Sequence, residues 1–413
     1  MRISVSRTLG VLTAVAALAT TAACGSGFDN NSATPQKTGK AHLNVLVATS
    51  GTADLDAVRQ AAAKWAASTG STATVSPAQD MNQQLTQGFA SGKPPDVFMV
   101  DATQFEAYAK AGDLEPYGQT LSYRDDLYPT LRQSFTLDGT LYCAPKDFST
   151  LALEINNAAW QKAGLTDADV PTTWDQLETV ARKLTTGKQV GLALGDTRDR
   201  IGAFMVQAGG WVTSDDQRTA TADTPANLEA LQFVQKLLAE GVAKYPKQLD
   251  SGWSGEAFGK GRAAMAIEGN WLRGAMKTDY PDISYRVVPL PSGPKSQGTL
   301  SFTQCWGVAA KSQFKQQAID LVNSFMTPEQ QMVFADAFGV MPSRMSVRAE
   351  YQQKFPQDAA FLDGADYARG PVTAPTMNAV LADFDTGLQG LPQADPEQIL
   401  RRLQKHTADA LQH

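Results

Sequence analysis

The stretch PPDVFMVDATQFEAYAKA, residues 94–111, decides the fold class of this chain. Residues 96–100 form a short, largely apolar run after two prolines, and this length and composition predict a buried strand. A helical pattern follows at residues 103–111. A buried strand that leads into a helix is typical of α/β proteins, in which helices cover a largely parallel sheet. Asp101 lies between the two elements, at the edge where open α/β sheets bind ligands.

The same order of strand and helix occurs nearer the N-terminus. Residues 43–47 predict a strand, and residues 54–67 place apolar side chains at helical spacing. Residues 141–145 and 151–155 predict two further strands, separated by a polar interval at residues 146–150. We expect this interval to be the first crossing between two lobes.

The second half of the chain is rich in helical patterns. Thr173 predicts a helix N-cap, and Gln176 completes a capping box before a run of apolar residues at helical spacing. Trp174, which lies inside this cap, is therefore interpreted as structural. A second crossing between the lobes is predicted near residues 302–307, after a turn region rich in Pro, Gly and Ser.

The composition excludes several classes of function. The chain has 413 residues, 43% hydrophobic and 19% charged, which is typical of a water-soluble globular protein, and from the length we expect two domains. Thirty-six basic and 42 acidic residues give a formal net charge of −6, so the chain has no electrostatic reason to bind nucleic acid. The histidines are His42, His406 and His413, so imidazole-based triads and histidine metal sites have almost no candidates.

The N-terminal segment has the pattern of an export signal. Two arginines precede the apolar run at residues 9–19, which is about half as long as a membrane-spanning helix of roughly 20 residues. Ala22-Ala23-Cys24-Gly25 resembles a bacterial lipobox, in which the cysteine is diacylated, although Thr21 replaces the usual leucine. We therefore predict a signal peptide at residues 1–23 and a lipid anchor at Cys24.

The remaining cysteines do not form a metal-binding pattern. Cys143 and Cys305 lie far apart in the sequence, which does not determine whether they pair, and we expect two buried free thiols. Residues 24–40 contain mostly Gly, Ser, Asn, Thr, Pro and Lys, a composition that predicts a flexible tether between the anchor and the folded body.

A set of landmarks in a fixed order carries a family resemblance. In chain order they are Pro95-Asp96-Val97 with Asp101, Pro145-Lys146-Asp147 with Asn156, Lys162-Ala163-Gly164-Leu165, Pro171-Thr172-Thr173-Trp174, Gly269-Asn270-Trp271 and Thr327-Pro328-Glu329-Gln330. With these landmarks, residues 43–390 resemble the maltose-binding-protein-like, or family 1, extracellular solute-binding proteins of ATP-binding-cassette importers. Each landmark alone has little specificity, but their order after a lipobox is specific.

The resemblance implies a two-lobed α/β fold of the periplasmic-binding-protein-like type II, with a ligand cleft between the lobes. We place lobe 1 at residues 41–148 and 305–342, and lobe 2 at residues 149–304 and 343–413. Such proteins bind a solute without changing it chemically, so we expect no cofactor, no catalytic residue and no metal ligand. The expected partners of this monomer are a small-molecule sugar and the permease subunits of the importer, with the lipid anchor as its contact with the membrane.

Two segments depart from the family pattern. Glu154 and Ile155 replace the usual aromatic residue before Asn156, and residues 302–306 replace a more glycine-rich strand. Both segments lie close to the expected cleft, so the identity of the ligand does not follow from the resemblance.

Candidate ligand-binding residues follow from the chemistry of sugars, which present apolar C–H faces beside hydroxyl groups and so need aromatic side chains next to a few polar groups. Asp101 can accept hydrogen bonds from two sugar hydroxyls, or it can cap the following helix. Trp65, Trp160 and Trp174 are interpreted as core residues. The predicted ligand-binding residues are Asp101, Asp147, Phe148, Trp211, Trp253, Trp271 and Trp306.

The sequence therefore predicts an extracellular, lipid-anchored protein that binds a di- or oligosaccharide by hinge closure and delivers it to a permease. Within the binding class, an amino acid or peptide is the alternative ligand, whose carboxylate would need a cation. The candidate cations are Arg198, Arg200, Arg273 and Arg369. A secreted glycan-active enzyme and a lipid-anchored scaffold are the alternatives from other classes, but the sequence has no Gly-x-Ser-x-Gly, phosphate-loop or His-Glu-x-x-His motif.

Overall fold

The computed structural model describes residues 36–48 and 52–412, in which strands and helices alternate along most of the chain. The strands are β1 (His42–Val47), β2 (Thr72–Pro77), β3 (Val97–Asp101), β4 (Thr136–Leu137), β5 (Thr140–Leu141), β6 (Ala144–Asn156), β7 (Val190–Ala193), β8 (Ala243–Lys244), β9 (Ala263–Gly269), β10 (Tyr285–Val288), β11 (Thr299–Val308), β12 (Met341–Pro342) and β13 (Ala368–Arg369). The helices are α1 (Thr52–Thr69), α2 (Met81–Ala90), α3 (Ala102–Lys110), α4 (Pro129–Ser134), α5 (Asn157–Lys162), α6 (Trp174–Leu184), α7 (Arg198–Gln207), α8 (Pro225–Ala239), α9 (Ser254–Gly259), α10 (Leu272–Thr278), α11 (Lys315–Phe325), α12 (Pro328–Phe338), α13 (Arg348–Lys354), α14 (Ala359–Gly364), α15 (Asn378–Gln389) and α16 (Pro396–Ala410).

The first strands form the parallel α/β arrangement that the sequence predicts. β1 pairs in parallel with β2 on one side and with β3 on the other. Apolar side chains of α1 are buried, and the Trp65 indole N–H donates a hydrogen bond to Asp320 of α11 at 2.9 Å. The two elements predicted within residues 94–111 are β3 and α3, with Asp101 as the last residue of β3. The predicted α/β class is confirmed.

One sheet runs through the body in the order β2-β1-β3-β11-β6-β9-β7-β8. Residues 144–150 of β6 pair with β11, whereas residues 151–155 pair with β9. We call β6 and β11 the crossing strands. The sequence predicted two strands separated by a polar interval here, and this was wrong: β6 is one continuous strand of 13 residues, because the polar residues take part in the strand ladder.

The two largest hydrophobic cores lie along this sheet and give the body two lobes. Core 1 is built from residues 41–144 and 305–334, and core 2 from residues 151–300 and 372–403. The crossing strands contribute side chains to both cores. The boundaries of the lobes within this two-lobed body remain a prediction.

A disulfide joins Cys143 to Cys305, with a Cα–Cα distance of 5.8 Å. The expectation of two free thiols was therefore wrong. Cys143 directly precedes β6, and Cys305 lies opposite Pro145 in the antiparallel ladder, so the strands hold the two cysteines at a distance that suits a disulfide. The next pair in the ladder is Gln304 with Asp147, which leaves Lys146 as an extra residue in a β-bulge of β6.

The tryptophans interpreted as core residues are each at most 7% exposed: Trp65, Trp160 and Trp174. The predicted cap of α6 is present in part. Thr173 accepts a hydrogen bond from the Gln176 N–H, as an N-cap does, but the Gln176 side chain accepts from the Thr172 N–H instead of the N–H of Thr173.

The predicted signal peptide at residues 1–23 and the lipid anchor at Cys24 lie outside the described residues, as does the part of the predicted tether before residue 36. Across residues 36–48 and 52–412, no helix has both the length and the apolar character that crossing a bilayer requires.

Candidate ligand-binding cleft

A groove lies beside the crossing strands, with walls from both lobes. Its central cavity, of about 330 Å³, is bordered by the start of α1, the end of β3, the crossing strands, the end of α12 and the connection from β9 to α10. Residues that border it include Asp54, Asp101, Asp147, Trp271, Phe302 and Phe338. A cavity of about 280 Å³ shares Asp101 and Phe302 with it, and we call this the Trp211 cavity. A cavity of about 1080 Å³ shares Asp54 and Trp271 with it, and we call this the Trp253 cavity.

Asp101 is both a helix cap and a side chain of the groove. Its Oδ1 accepts hydrogen bonds from the Thr103 N–H at 2.9 Å and from the Thr103 hydroxyl at 2.7 Å, so it caps α3. Both bonds use the same oxygen, which leaves Oδ2 available to a ligand in the central cavity. The two roles that the sequence left as alternatives are therefore compatible in one side chain.

Trp271 is half-buried and borders both the central cavity and the Trp253 cavity. Its indole N–H donates to Glu268 Oε2 at 3.1 Å, and the Phe302 ring meets it edge-on with the ring centroids 5.3 Å apart. A Cβ on Gly269 would lie only 2.3 Å from Trp271 Cζ3, so the glycine is needed for the indole to lie against the end of β9. These contacts hold an aromatic surface at the edge of the groove.

Trp211 and Trp253 lie at the groove, but in different cavities from each other. Trp211 is 8% exposed and borders the Trp211 cavity. The Arg369 guanidinium lies 5.8 Å from the Trp211 ring. Trp253 is half-buried, packs against the small apolar cluster around Phe258, and borders the Trp253 cavity of about 1080 Å³. The structure thus distributes Trp211, Trp253 and Trp271 along the groove and does not gather them in one cavity.

The structure corrects the prediction for Trp306, whose side chain is fully buried in core 1. Its ring packs 4.9 Å from that of Phe325, because α11 and α12 already cover β11 at this point. Phe148 borders the central cavity but is only 2% exposed, and its ring packs 5.0 Å from that of Tyr128. Neither ring is placed to stack on a ligand in the groove.

Asp147 borders the central cavity, but its carboxylate already has a partner. Asp147 and Lys146 are both buried and form an ion pair across the β-bulge. Burial raises the pKa of Asp147, and the Lys146 ammonium opposes this rise. The same ammonium lies 4.0 Å from the centroid of the Phe338 ring. The pair therefore neutralises its own charge at the floor of the groove.

Two carboxyl groups lie close together behind Trp271. Glu154 and Glu268 are both buried, and Glu154 Oε2 accepts a hydrogen bond from the Glu268 N–H at 3.0 Å. Burial and the neighbouring Glu268 carboxylate raise the pKa of Glu154 well above its usual range. Arg200 of α7 forms an ion pair with Glu268 at 2.6 Å. Arg200 thus supplies the opposite charge beside these two carboxyl groups.

Sequence reasoning did not name several side chains that border the central cavity as ligand contacts, among them Asp54, Phe302 and Phe338. The place of Phe302 in the predicted second crossing was a usable signal, because a crossing segment lies at the cleft. Asp54 was recognised only as the beginning of the helical pattern at residues 54–67. The positions of Asp54 and Phe338 depend on how lobe 1 packs against the crossing strands, which local patterns do not encode.

A two-lobed α/β body with a groove beside its crossing strands defines a class of proteins that hold a small molecule between two lobes. Within the part of the chain that the structure describes, no cluster of three His, Cys, Asp or Glu residues could hold a metal ion. The chain belongs to the bacterial extracellular solute-binding proteins, whose family profile matches residues 60–362.

Two relatives of known name cover most of the chain. The diacetylchitobiose binding protein DasA of Streptomyces coelicolor is 26% identical over 292 residues, which are 68% of this chain and 68% of that protein. The maltotriose-binding protein of Pyrococcus abyssi is 25% identical over 354 residues, which are 81% of this chain and 74% of that protein.

Solved structures share the fold over nearly the whole chain. The cyclic α-maltosyl-1,6-maltose binding protein of Arthrobacter globiformis matches with a TM-score of 0.79 and 21% identity, covering 90% of this chain and 99% of that one. The Thermus thermophilus maltotriose binding protein, bound with maltotriose, matches with a TM-score of 0.76 and 23% identity, covering 89% of this chain and 99% of that one. These similarities establish the two-lobed fold.

Proposed function

We propose that this protein is the sugar-binding subunit of an ATP-binding-cassette importer. It holds a di- or oligosaccharide in the groove by closing its two lobes and delivers the sugar to the permease. A lipid anchor at Cys24 keeps the protein, as a monomer, on the extracellular face of the cell membrane. The protein changes no bond of its ligand, so it needs neither a cofactor nor catalytic residues.

The observation that carries this proposal is the juxtaposition of Trp271 and Asp101 at the central cavity. Trp271 offers a rigid apolar surface on the lobe 2 side, and Asp101 offers a carboxylate oxygen on the lobe 1 side. A pyranose needs both kinds of contact, because its C–H face packs on an aromatic ring while its hydroxyls donate to acceptors. Because the two residues come from different lobes, a ligand that contacts both favours closure.

The charges around the groove favour a neutral ligand over an amino acid or peptide. Each arginine that could bind a ligand carboxylate already forms an ion pair with a carboxylate of the protein. The pairs are Arg198 with Asp385, Arg200 with Glu268, Arg273 with Asp358, and Arg369 with Asp215. A ligand carboxylate at any of these four arginines would have to displace a protein carboxylate, whereas a sugar hydroxyl would not.

The extent of the groove and the relatives support an oligosaccharide. The central cavity shares bordering residues with the Trp211 cavity and with the Trp253 cavity. Together the three cavities offer more space than one hexose fills. DasA is named for diacetylchitobiose and the Pyrococcus abyssi protein for maltotriose, and both names describe binding proteins. These names favour a sugar of two or more units and a binding role over a glycan-active enzyme.

For the closing motion, we assign residues 41–148 and 305–342 to lobe 1, and residues 149–304 and 343–413 to lobe 2. The crossing strands connect the two lobes, and β12 joins them where Met341 pairs with Phe148. A closing motion needs only a few residues that change their backbone angles, and we place these residues in the crossing strands and beside β12.

A ligand panel tests the proposed function. The purified protein is heated with malto-, cello-, xylo- and chito-oligosaccharides, with single amino acids and with short peptides, and the melting temperature is recorded. A ligand that binds only the folded state raises this temperature. We expect a rise with at least one oligosaccharide, no rise with amino acids or peptides, and an unchanged oligosaccharide after incubation. A rise with peptides alone, or cleavage of the sugar, would refute the proposal.

A further inference from the structure

We propose that Arg200 and Glu268 are positioning residues for Trp271, and that they set sugar affinity through the indole ring without contacting the sugar. The inference rests on the proposed function, because it takes Trp271 as the surface on which the ligand packs. Neither Arg200 nor Glu268 is among the residues that border the three cavities of the groove. Their effect on a ligand must therefore pass through another side chain.

One carboxylate oxygen connects the three residues. Glu268 Oε2 accepts a hydrogen bond from the Trp271 indole N–H at 3.1 Å, from Arg200 Nη2 at 2.6 Å and from Arg200 Nε at 3.2 Å. Glu268 lies on β9 and is 1% exposed, whereas Arg200 lies on α7. The hydrogen bond fixes the edge of the indole to a buried strand, and the ion pair fixes that carboxylate to a helix.

The ring itself is also held in place. The Arg200 guanidinium carbon lies 5.0 Å from the Trp271 ring centroid, which is within the range of a cation–π contact. It lies 5.8 Å from the Phe302 ring, whose plane is nearly perpendicular to the indole. The benzo side of the indole lies against Gly269. An aromatic ring held at its N–H, its centre and its outer edge loses little conformational freedom when a ligand packs on it.

The buried neighbour Glu154 explains why the charge of Arg200 is needed at this place. Burial and the neighbouring Glu268 raise the pKa of Glu154 on β6, whereas Arg200 opposes this rise. Like charges this close repel each other, and a cation beside them offsets the repulsion. A carboxylate accepts a stronger hydrogen bond from an indole N–H than a neutral group does. Arg200 therefore acts on Trp271 twice, through Glu268 and through its own contact with the ring.

A double-mutant cycle tests the proposal on the whole protein. The variants are Arg200→Lys, Glu268→Gln and the double variant Arg200→Gln with Glu268→Gln. The double variant leaves no buried charge without a partner, so it can replace a single variant that fails to fold. Each is made in the wild-type chain and in Trp271→Ala. Affinity for the tightest-binding sugar of the panel is measured by calorimetry, and near-ultraviolet circular dichroism of the ligand-free protein reports the environment of the indole.

We expect each substitution to lower sugar affinity about tenfold in the wild-type chain and to have almost no effect in Trp271→Ala, because residues in contact are not additive. The dichroism difference should likewise vanish in Trp271→Ala. Arg182→Lys and Glu178→Gln serve as controls. They alter an Arg–Glu ion pair on α6 that has the same N–O distance, 2.6 Å, and that borders none of the three cavities. These two variants should leave sugar affinity unchanged.

An equal loss of affinity in both backgrounds would overturn the proposal, since the residues would then act independently of Trp271. Unchanged affinity in the wild-type chain would overturn it as well. If the wild-type protein binds no sugar of the panel, the proposed function fails, and the dichroism comparison alone decides whether Arg200 and Glu268 position the ring.

Discussion

Cys143 and Cys305 tie the beginning of β6 to β11 on the lobe 1 side of the groove, directly before the β-bulge at Lys146. The covalent bond prevents the two crossing strands from sliding past each other at this end. Beyond the bulge, the strands are joined by hydrogen bonds alone. Within β6, any bending between the lobes is therefore expected on the lobe 2 side of Lys146.

The disulfide is expected to stabilise the fold. Replacing both cysteines, Cys143→Ala with Cys305→Ala, should lower the free energy of unfolding by about 2–4 kcal/mol, because the bond closes a long loop with a sequence separation of 162. Urea unfolding of both proteins measures the difference. Dithiothreitol should destabilise the wild type and leave the double variant unchanged. Equal stability of the two proteins would show that the disulfide does not stabilise the fold.

Asp101→Asn separates the two roles of this side chain. Asparagine caps helices as well as aspartate does, so the free energy of unfolding should change by less than about 0.5 kcal/mol. Loss of the charged acceptor should lower sugar affinity about tenfold. Asp80→Asn at the cap of α2, where the side chain accepts from the Gln83 N–H at 2.9 Å, is the matched control and should bind sugar normally. Normal binding by Asp101→Asn would reduce Asp101 to a helix cap.

Trp271→Ala and Trp65→Ala should have opposite effects. Trp271 is half-buried at the groove, so its loss should lower sugar affinity at least about tenfold with a modest fall in melting temperature. Trp65 is 4% exposed in core 1, and its truncation should cost about 3–5 kcal/mol of folding free energy. Calorimetry and thermal unfolding of both variants measure the contrast. Normal binding by a strongly destabilised Trp271→Ala would assign Trp271 to the core and leave Trp211 or Trp253 as the stacking residue.

Closure should be visible in solution. The segments at residues 147–150, 302–307 and 340–344 are expected to bend while each lobe stays rigid. Small-angle X-ray scattering at saturating sugar should give a smaller radius of gyration than the ligand-free protein, and Trp271→Ala at the same sugar concentration serves as the comparison. An identical radius with and without bound ligand would contradict hinge closure.

Cys24→Ser should release the protein from the membrane, because the acylated residue is the predicted anchor. The wild-type protein should sediment with membranes and resist a wash with high salt, whereas the variant should appear in the culture medium. Immunoblots of the two fractions measure this distribution. A variant that stays with the membrane after the wash would exclude the lipoprotein assignment.

Sequence reasoning found the elements with strong local patterns. The run at residues 96–100, the helix after it and the cap at Thr173 each depend on neighbours in the chain, and all three are present. It failed where partners far apart in sequence decide the outcome. The polar interval at residues 146–150 became part of a strand because β11 supplies its ladder partners from the second half of the chain.

The candidate site divides in the same way. Asp101 could be found from the strand that it ends, and Trp271 from its place in the landmark Gly269-Asn270-Trp271. Trp306 could not be separated from these, because its burial depends on Phe325 and Phe334 of two helices that follow it. Arg200 was considered only as a cation for a ligand carboxylate, since nothing near it in the sequence reveals that Glu268 is its partner.

The two cores are each assembled from segments that are distant along the chain. Core 1 needs residues up to 334, and core 2 needs residues up to 403. Neither lobe can complete its packing during early synthesis, because the last strands and helices that close each core leave the ribosome late. For a chain that must pass through a narrow secretion channel before it folds, as its N-terminal sequence predicts, this interleaving delays compaction until most of the polypeptide has been translocated.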